Sequence, residues 1–369
     1  MSKIVICHRV VRHLRIGNYF HCIFATFDTM EGKISLISKK NKRLVLSFTV
    51  LQFLVIIVRI WSIATTRADL LESIFGIAIA SLTVIGFVVR CDPFPDDVQV
   101  QFLNYIFSSK DEVSDRGATR YLNLLALFFD VVEFTYYSIS TVLGLLALFL
   151  PCQPGLTSSI ICSSEGVLLS GLIFKFLYLF FFPALEFLIY MQVAVGTAYN
   201  FVTVLLTGVT FLWLECAFFI KCYQKELADL ADYRKIQIFE KILNSCTREG
   251  IFLKFVILIP SLQVLMSLVA IKMFHSGHDL LAVMFCWMYV IILGSTLLTF
   301  SAAAKVYGTS TKWIQGCKGG ERKKYARKMH RSLIPLRLHF GNNFVEILTP
   351  LVVQEYCVRQ TVTFLLLTK

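Results

Sequence analysis

The chain has 369 residues, of which 56% are hydrophobic and only 16% charged, and its mean hydropathy is +0.69. Soluble domains run near a quarter charged, so a water-soluble globular protein is excluded. Apolar runs of about 20 residues, rather than short alternating strands, also exclude a transmembrane β-barrel. The net charge of +12 falls between the apolar runs, where it reports topology and not nucleic-acid binding.

Residues 1–43 are rich in Lys and Arg and show no signal-peptide pattern, so they read as a cytoplasmic amino-terminal segment. Apolar runs follow at 44–66, 70–89 and 121–150. The stretch 167–220 is apolar almost throughout, long enough to cross once or twice. Runs at 251–274 and 279–305 come next, and a weaker one at 344–367 closes the chain.

The positive-inside rule decides the ambiguous stretch. With one crossing, segments 1–43, 90–120, 221–250 and 305–342 share a side and hold 29 Lys and Arg, against 4 in the opposite loops. A second crossing would scatter that balance and leave Lys175 in mid-membrane, at about 2.5–3.5 kcal/mol. The fourth span is therefore placed at 184–222, after Pro183, with 166–182 packed on the outer face. The expected fold is all-α: one polytopic domain over 44–367, with seven transmembrane helices, the amino terminus cytoplasmic and the carboxyl terminus extracellular.

That orientation disfavours a G-protein-coupled receptor. The third span also lacks a following Asp-Arg-Tyr, and the seventh lacks Asn-Pro-x-x-Tyr. No phosphate-binding loop, HExxH or nucleophile elbow occurs, so neither an enzyme nor a cofactor is expected. Of eleven Cys, only Cys152 and Cys162 are placed for a disulfide, in a loop between spans. His275, His278 and Asp279 are too few, on too short a loop, to assign a metal site. The basic run "KGGERKKYARKMHR" fits charge retention and lipid contact on the cytoplasmic side.

Polar and aromatic groups recur in the outer halves of several spans and read as a small-molecule pocket. Candidate ligand residues are Asp130, Glu133, Tyr136, Tyr137, Glu186, Tyr190, Gln263, Trp287 and Tyr289. Trp287 and Tyr289 equally suit a membrane-interface belt, and Glu186 equally suits a solvated position near the outer surface. Intramembrane carboxylates face a cavity, a partner or an ion path; the partner named for Asp130 and Glu133 is Arg59, mid-span in the first helix. In the last span Tyr356, Gln360, Thr363 and Leu367 share one helix face. Polar residues there line a wet pathway or glue a bundle by interhelical hydrogen bonds. Glu355 and Arg359, four apart, are spaced either to pair on another face or to face the inner vestibule.

The stretch "SLIPLRLHFGNNFVEILTPLVVQEYCVRQTVTFLLLTK" resembles the last cytoplasmic helix and seventh span of the arthropod gustatory and odorant receptor family. Thr363-Phe364-Leu365-Leu366-Leu367 keeps the Thr-aromatic-apolar start of that family's marker, and the closing Gln-Phe is absent. The short "HSGHD" loop and the charged link between spans four and five are similar too. The resemblance implies a chemosensory ligand-gated cation channel in the plasma membrane, a homo- or hetero-tetramer opened by a tastant or odorant, with the seventh helix at the pore. The absence of a long intracellular insertion favours the gustatory type. The competing expectation is a monomeric transporter or membrane enzyme using Asp130 and Glu133, which the odd span count and the lack of an inverted repeat disfavour.

Overall fold

The computed structural model describes residues 3–66, 69–91, 97–108, 116–159, 180–316 and 332–367. Lys175, Cys162 and the basic run at 318–331 lie outside them. Helix α1 (Lys3–Tyr19) precedes a hairpin of β1 (Ala25–Asp28) and β2 (Lys33–Leu36), paired antiparallel with Ala25 opposite Leu36. The turn uses Gly32 at φ +65° and an Asp28 carboxylate that accepts from Met30 N–H at 2.8 Å.

The long helices follow: α2 (Lys39–Thr65), α3 (Leu70–Arg90), the short α4 (Asp97–Ser108) and α5 (Arg116–Phe149). Ser38 caps α2 by accepting from Asn41 N–H. Helix α6 (Phe182–Gln224) is continuous over 43 residues, with a π-helical stretch at Tyr199–Leu206. At 1.5 Å per residue it measures about 65 Å, twice the hydrocarbon thickness, so it runs well past any bilayer it crosses. Helix α7 (Leu230–Cys246), started by a reciprocal Asp229/Asp232 capping box, leads through a π-helical turn at Thr247–Ile251 into α8 (Phe252–His275). The tight loop before α9 (Asp279–Gly316) turns on Gly277 at φ +77°. A two-residue hairpin, β3 (His339–Phe340) with β4 (Asn343–Phe344), precedes α10 (Thr349–Leu367).

Six of these rods are long and apolar enough to cross a membrane: α2, α3, α5, α6, the α7–α8 rod and α9. The molecule is a polytopic all-α membrane protein. Helix α10 has 19 residues and falls outside that group, diluted by Gln354, Glu355, Arg359 and Gln360. Cys152 is disulfide-bonded.

Helix α1 docks on the bundle: it buries Ile6, Val10, His13 and Leu14, which share one helix face, against α5 and α6. His13 Nε2 lies 3.2 Å from the Val195 carbonyl, which places the proton there, so Nδ1 accepts from the Thr203 hydroxyl at 2.7 Å. This ties α1 to the π-helical stretch of α6. Two expectations need correction. First, the segment before the last span is irregular at 333–338, not helical. Its backbone is held by side chains of α7 and α9: Arg337 N–H donates to Glu240, His339 N–H to Asn244, and Leu336 N–H to Ser310. Burial and the nearby Arg248 and Arg337 push His339 below its usual pKa, so it stays neutral there. Second, Glu355 and Arg359 are both exposed, and no ion pair forms between them among the described residues.

Candidate functional site

A cavity of about 150 Å³ lies among α3, α5, α6, α8 and α9, inside the bundle. Its walls are nearly all apolar. On α5 the lining residues Phe128, Val132, Tyr136 and Ser140 recur every four positions, the spacing of one helix face. Opposite them stand Thr197 and Phe201 on α6 and Met288 and Ile292 on α9. Gly86 of α3 makes room: a Cβ there would fall 2.2 Å from a Val193 methyl, so any larger residue would push α3 and α6 apart.

Two hydroxyls in this wall, Ser140 Oγ and Thr197 Oγ1, are buried without a hydrogen-bond partner. Leaving such a group unpaired costs about 1–3 kcal/mol, so the cavity offers a polar handle to whatever occupies it. Tyr136 Oη lies 3.3 Å from His13 Nε2, which joins the cavity wall to α1.

Of the expected ligand residues, Tyr136 and Tyr190 line this cavity. The others lie elsewhere, each with a describable role. Asp130 accepts from Arg9 (2.6 Å) and Arg12 (2.7 Å), and Glu133 pairs with Arg12 at 2.6 Å. Their partners thus come from α1 and not from Arg59, the candidate that the sequence offered. Arg59 instead pairs with Glu186, both fully buried, and also donates to Tyr190 Oη at 2.6 Å and to Thr83. Glu186 is therefore not solvated. Its second oxygen accepts from the N–H and the hydroxyl of Thr157, both at 2.7 Å, so it pins the loop after α5 to α6. That loop needs Gly155 at φ +86°, where a Cβ would stand 2.7 Å from Gly76 Cα of α3. Gln263 donates to Gln354 of α10 at 2.8 Å. Trp287 donates to Thr135 at 3.0 Å, Tyr289 is half-buried on the core, and Tyr137 is exposed.

Ser140, Thr197, Phe128 and Val132 are cavity residues that sequence reading missed. The signal was present for α5, since they continue the face of Tyr136 at turns of four. Nothing in the sequence marks Thr197 apart from the other threonines of α6.

Helix α10 meets the rest of the chain along one seam. Gln354 bonds Gln263, Thr361 bonds Ser267 at 2.8 Å, and Cys357 is the one residue of this helix buried outright. The expected pore residues sit on the adjoining face. Tyr356 is 51% exposed and Leu367 75% exposed. Gln360 is half-buried at the edge of the seam, and Thr363 is exposed with its hydroxyl bonded back to the Arg359 carbonyl at 2.9 Å. The two readings of polar residues in this helix therefore apply to different residues: Gln354 and Thr361 glue it to α8, while Tyr356, Gln360, Thr363 and Leu367 form a separate stripe.

No protein-family model matches the chain, and no curated protein matches it in sequence. Among solved structures it is similar to the insect olfactory receptor OR5 from Machilis hrabei, in complex with eugenol. The two superpose with a TM-score of 0.59 at 12% identity, over 98% of this chain and 97% of the other. The chain has the fold of an insect olfactory receptor.

Proposed function

We propose that this protein is a subunit of a chemosensory ligand-gated cation channel of the plasma membrane. A small molecule occupies the cavity among α3, α5, α6, α8 and α9, and α10 lines a pore at the axis of four subunits. The observation that carries the reading is the apolar cavity with two unpaired hydroxyls, Ser140 and Thr197. Cavities of about 150 Å³ take up molecules the size of benzene. The ligand class is then a single-ring or short-chain compound with one hydroxyl or carbonyl. The similar receptor was solved with a small phenolic compound, eugenol, which supports a ligand of this kind. A ligand that fits the cavity better when the five helices are spread shifts the population toward the open state.

The exposed stripe on α10 supports the pore assignment, because an apolar and polar helix face left bare by its own chain calls for water or a neighbouring subunit. We place the protein in the gustatory branch, since only residues 225–229 separate α6 from α7 and leave no room for a long insertion. The transporter or enzyme reading would use Asp130 and Glu133, but Arg9 and Arg12 already neutralise both.

The first test is the subunit count of the solubilised protein by native mass and single-particle imaging. A four-fold particle with α10 at its centre is expected. A monomer stable in several mild detergents would overturn the channel reading. Current recordings with single-ring phenols and short alcohols then test the ligand class, with the chain expressed alone as the gustatory reading requires.

A further inference from the structure

A second cavity, of about 400 Å³, lies at the carboxyl end of α3, one turn beyond Gly86, where the β1–β2 hairpin, α4, α6 and the π-helical turn before α8 converge. Phe24, Leu36, Arg90, Gln99, Asn200 and Ile251 are among its walls. Among the described residues no Asp or Glu lines it.

Arg90 is the unusual member. It is 7% exposed, and while Nη2 donates to Thr49 Oγ1 at 3.1 Å, Nη1 has no hydrogen-bond partner. A buried guanidinium without a counter-charge is costly unless an anion accompanies it. The surroundings are shaped for its stem: Gly196 of α6 leaves space where a Cβ would stand 2.4 Å from Arg90 Cδ. Asn200 fastens that place by donating to the Val89 and Gly196 carbonyls. Cys22 supplies no negative charge, because burial pushes its thiol up to about 12. Three residues beyond Leu36 the chain begins the exposed basic run of Lys39, Lys40 and Arg43, on the same end of the α2–α3 hairpin.

From this we infer that the cavity is an anion site for a phosphate monoester on a polyol headgroup, with Arg90 Nη1 as its charged donor and Gln99 and Asn200 beside it. The volume is far larger than a single carboxylate needs, and the mixed polar and apolar walls suit a phosphorylated ring better than a bare ion. Two sources share that chemistry, a phosphoinositide lipid and a soluble inositol phosphate.

The test uses the full chain in nanodiscs of phosphatidylcholine, with or without phosphatidylinositol 4-phosphate, read by native mass and by thermal midpoint. Parallel phosphatidylcholine samples receive soluble inositol trisphosphate. The expected result is a retained phosphoinositide adduct and a raised midpoint for the wild type. Arg90→Gln should weaken this at least about tenfold, the scale of a lost charge-assisted hydrogen bond. Gln99→Glu, which is isosteric and half-buried, should weaken it similarly by repulsion, and it decides the matter if Arg90→Gln fails to fold. Binding of the soluble probe alone, with the same sensitivity to both variants, supports the site and assigns it to the soluble source. Equal binding by the wild type and Gln99→Glu, or none of either probe by the wild type, overturns the site.

Discussion

Helices α6 and α10 are both apolar rods studded with polar residues, yet the chain treats them in opposite ways. The most apolar window of α6 is 72% buried, and its Glu186, Tyr190, Gln192, Thr203, Thr207 and Thr210 all bond within the chain. Helix α10 buries only Cys357 outright and leaves Tyr356, Val358, Val362, Phe364, Leu366 and Leu367 exposed. A polar group is read by what covers it. In α6, Glu186, Tyr190, Gln192 and Thr203 tie the helix to other parts of the chain, while Thr207 and Thr210 bond back to carbonyls of α6 itself. In α10 a few attach the helix to α8, and the rest face outward, where lipid, water or another copy must meet them.

Removing Glu186 should do the most damage, because it is the hub of the α6 side of this contrast. Glu186→Ala leaves Arg59 buried without its anion and frees the loop at Thr157, which costs about 3–5 kcal/mol. Thermal unfolding in nanodiscs should show a large fall in midpoint or a loss of folded protein. The double variant Arg59→Met/Glu186→Leu, which removes both charges, should recover much of it. If Glu186→Ala unfolds at the wild-type temperature, the buried pair does not hold the bundle. By contrast, Arg12→Gln acts on the partly exposed network at Asp130 and Glu133, where Arg9 remains, and should cost no more than about 1 kcal/mol.

That difference also shows what the sequence could reveal. The long apolar runs at 44–66, 70–89, 121–150, 251–274 and 279–305 fall on α2, α3, α5, α8 and α9, but α9 continues eleven residues past the expected end and α7 lies in what the sequence offers only as a charged link. Helix α1 escaped because basic residues dominate its outer flank. Its buried face, Ile6, Val10 and Leu14, is short and means nothing until the groove between α5 and α6 exists to receive it. Partner choice was less legible still. Arg59 and Asp130 are both mid-span, but which carboxylate an arginine meets depends on helix rotation, and spacing along one helix does not fix rotation between two. The cavity was half legible: the α5 face could be read from its four-residue step, whereas Thr197 is distinguished from Thr203 and Thr207 only by having no partner.

The cavity sharpens the contrast from inside α6. Thr197 and Ser140 are polar groups the chain leaves unbonded, so their loss should not harm folding. Thr197→Val and Ser140→Ala should keep the thermal midpoint or raise it slightly, while each raises the half-activating concentration of a hydroxyl-bearing ligand about five- to tenfold, one hydrogen bond's worth. An unchanged dose–response in both would remove these hydroxyls from ligand recognition.

On α10 the seam and the stripe should separate. Gln354→Leu breaks the bond to Gln263, which keeps its contact with Thr296, and should cost about 0.6 kcal/mol, the average for polar contacts between membrane helices. Gln360, one and a half turns further on, makes no side-chain hydrogen bond among the described residues, so Gln360→Leu should leave the midpoint within about 0.5 kcal/mol of the wild type. Its effect should appear in permeation instead. Replacing an amide by an apolar side chain in a narrow wet path favours dewetting, so single-channel conductance should fall while surface expression and ligand sensitivity stay constant. The reverse pattern, a stability loss at Gln360 with normal conductance, would move it to the seam with Gln354, and the exposed face of α10 would then belong to lipid or to a subunit contact and not to the pore.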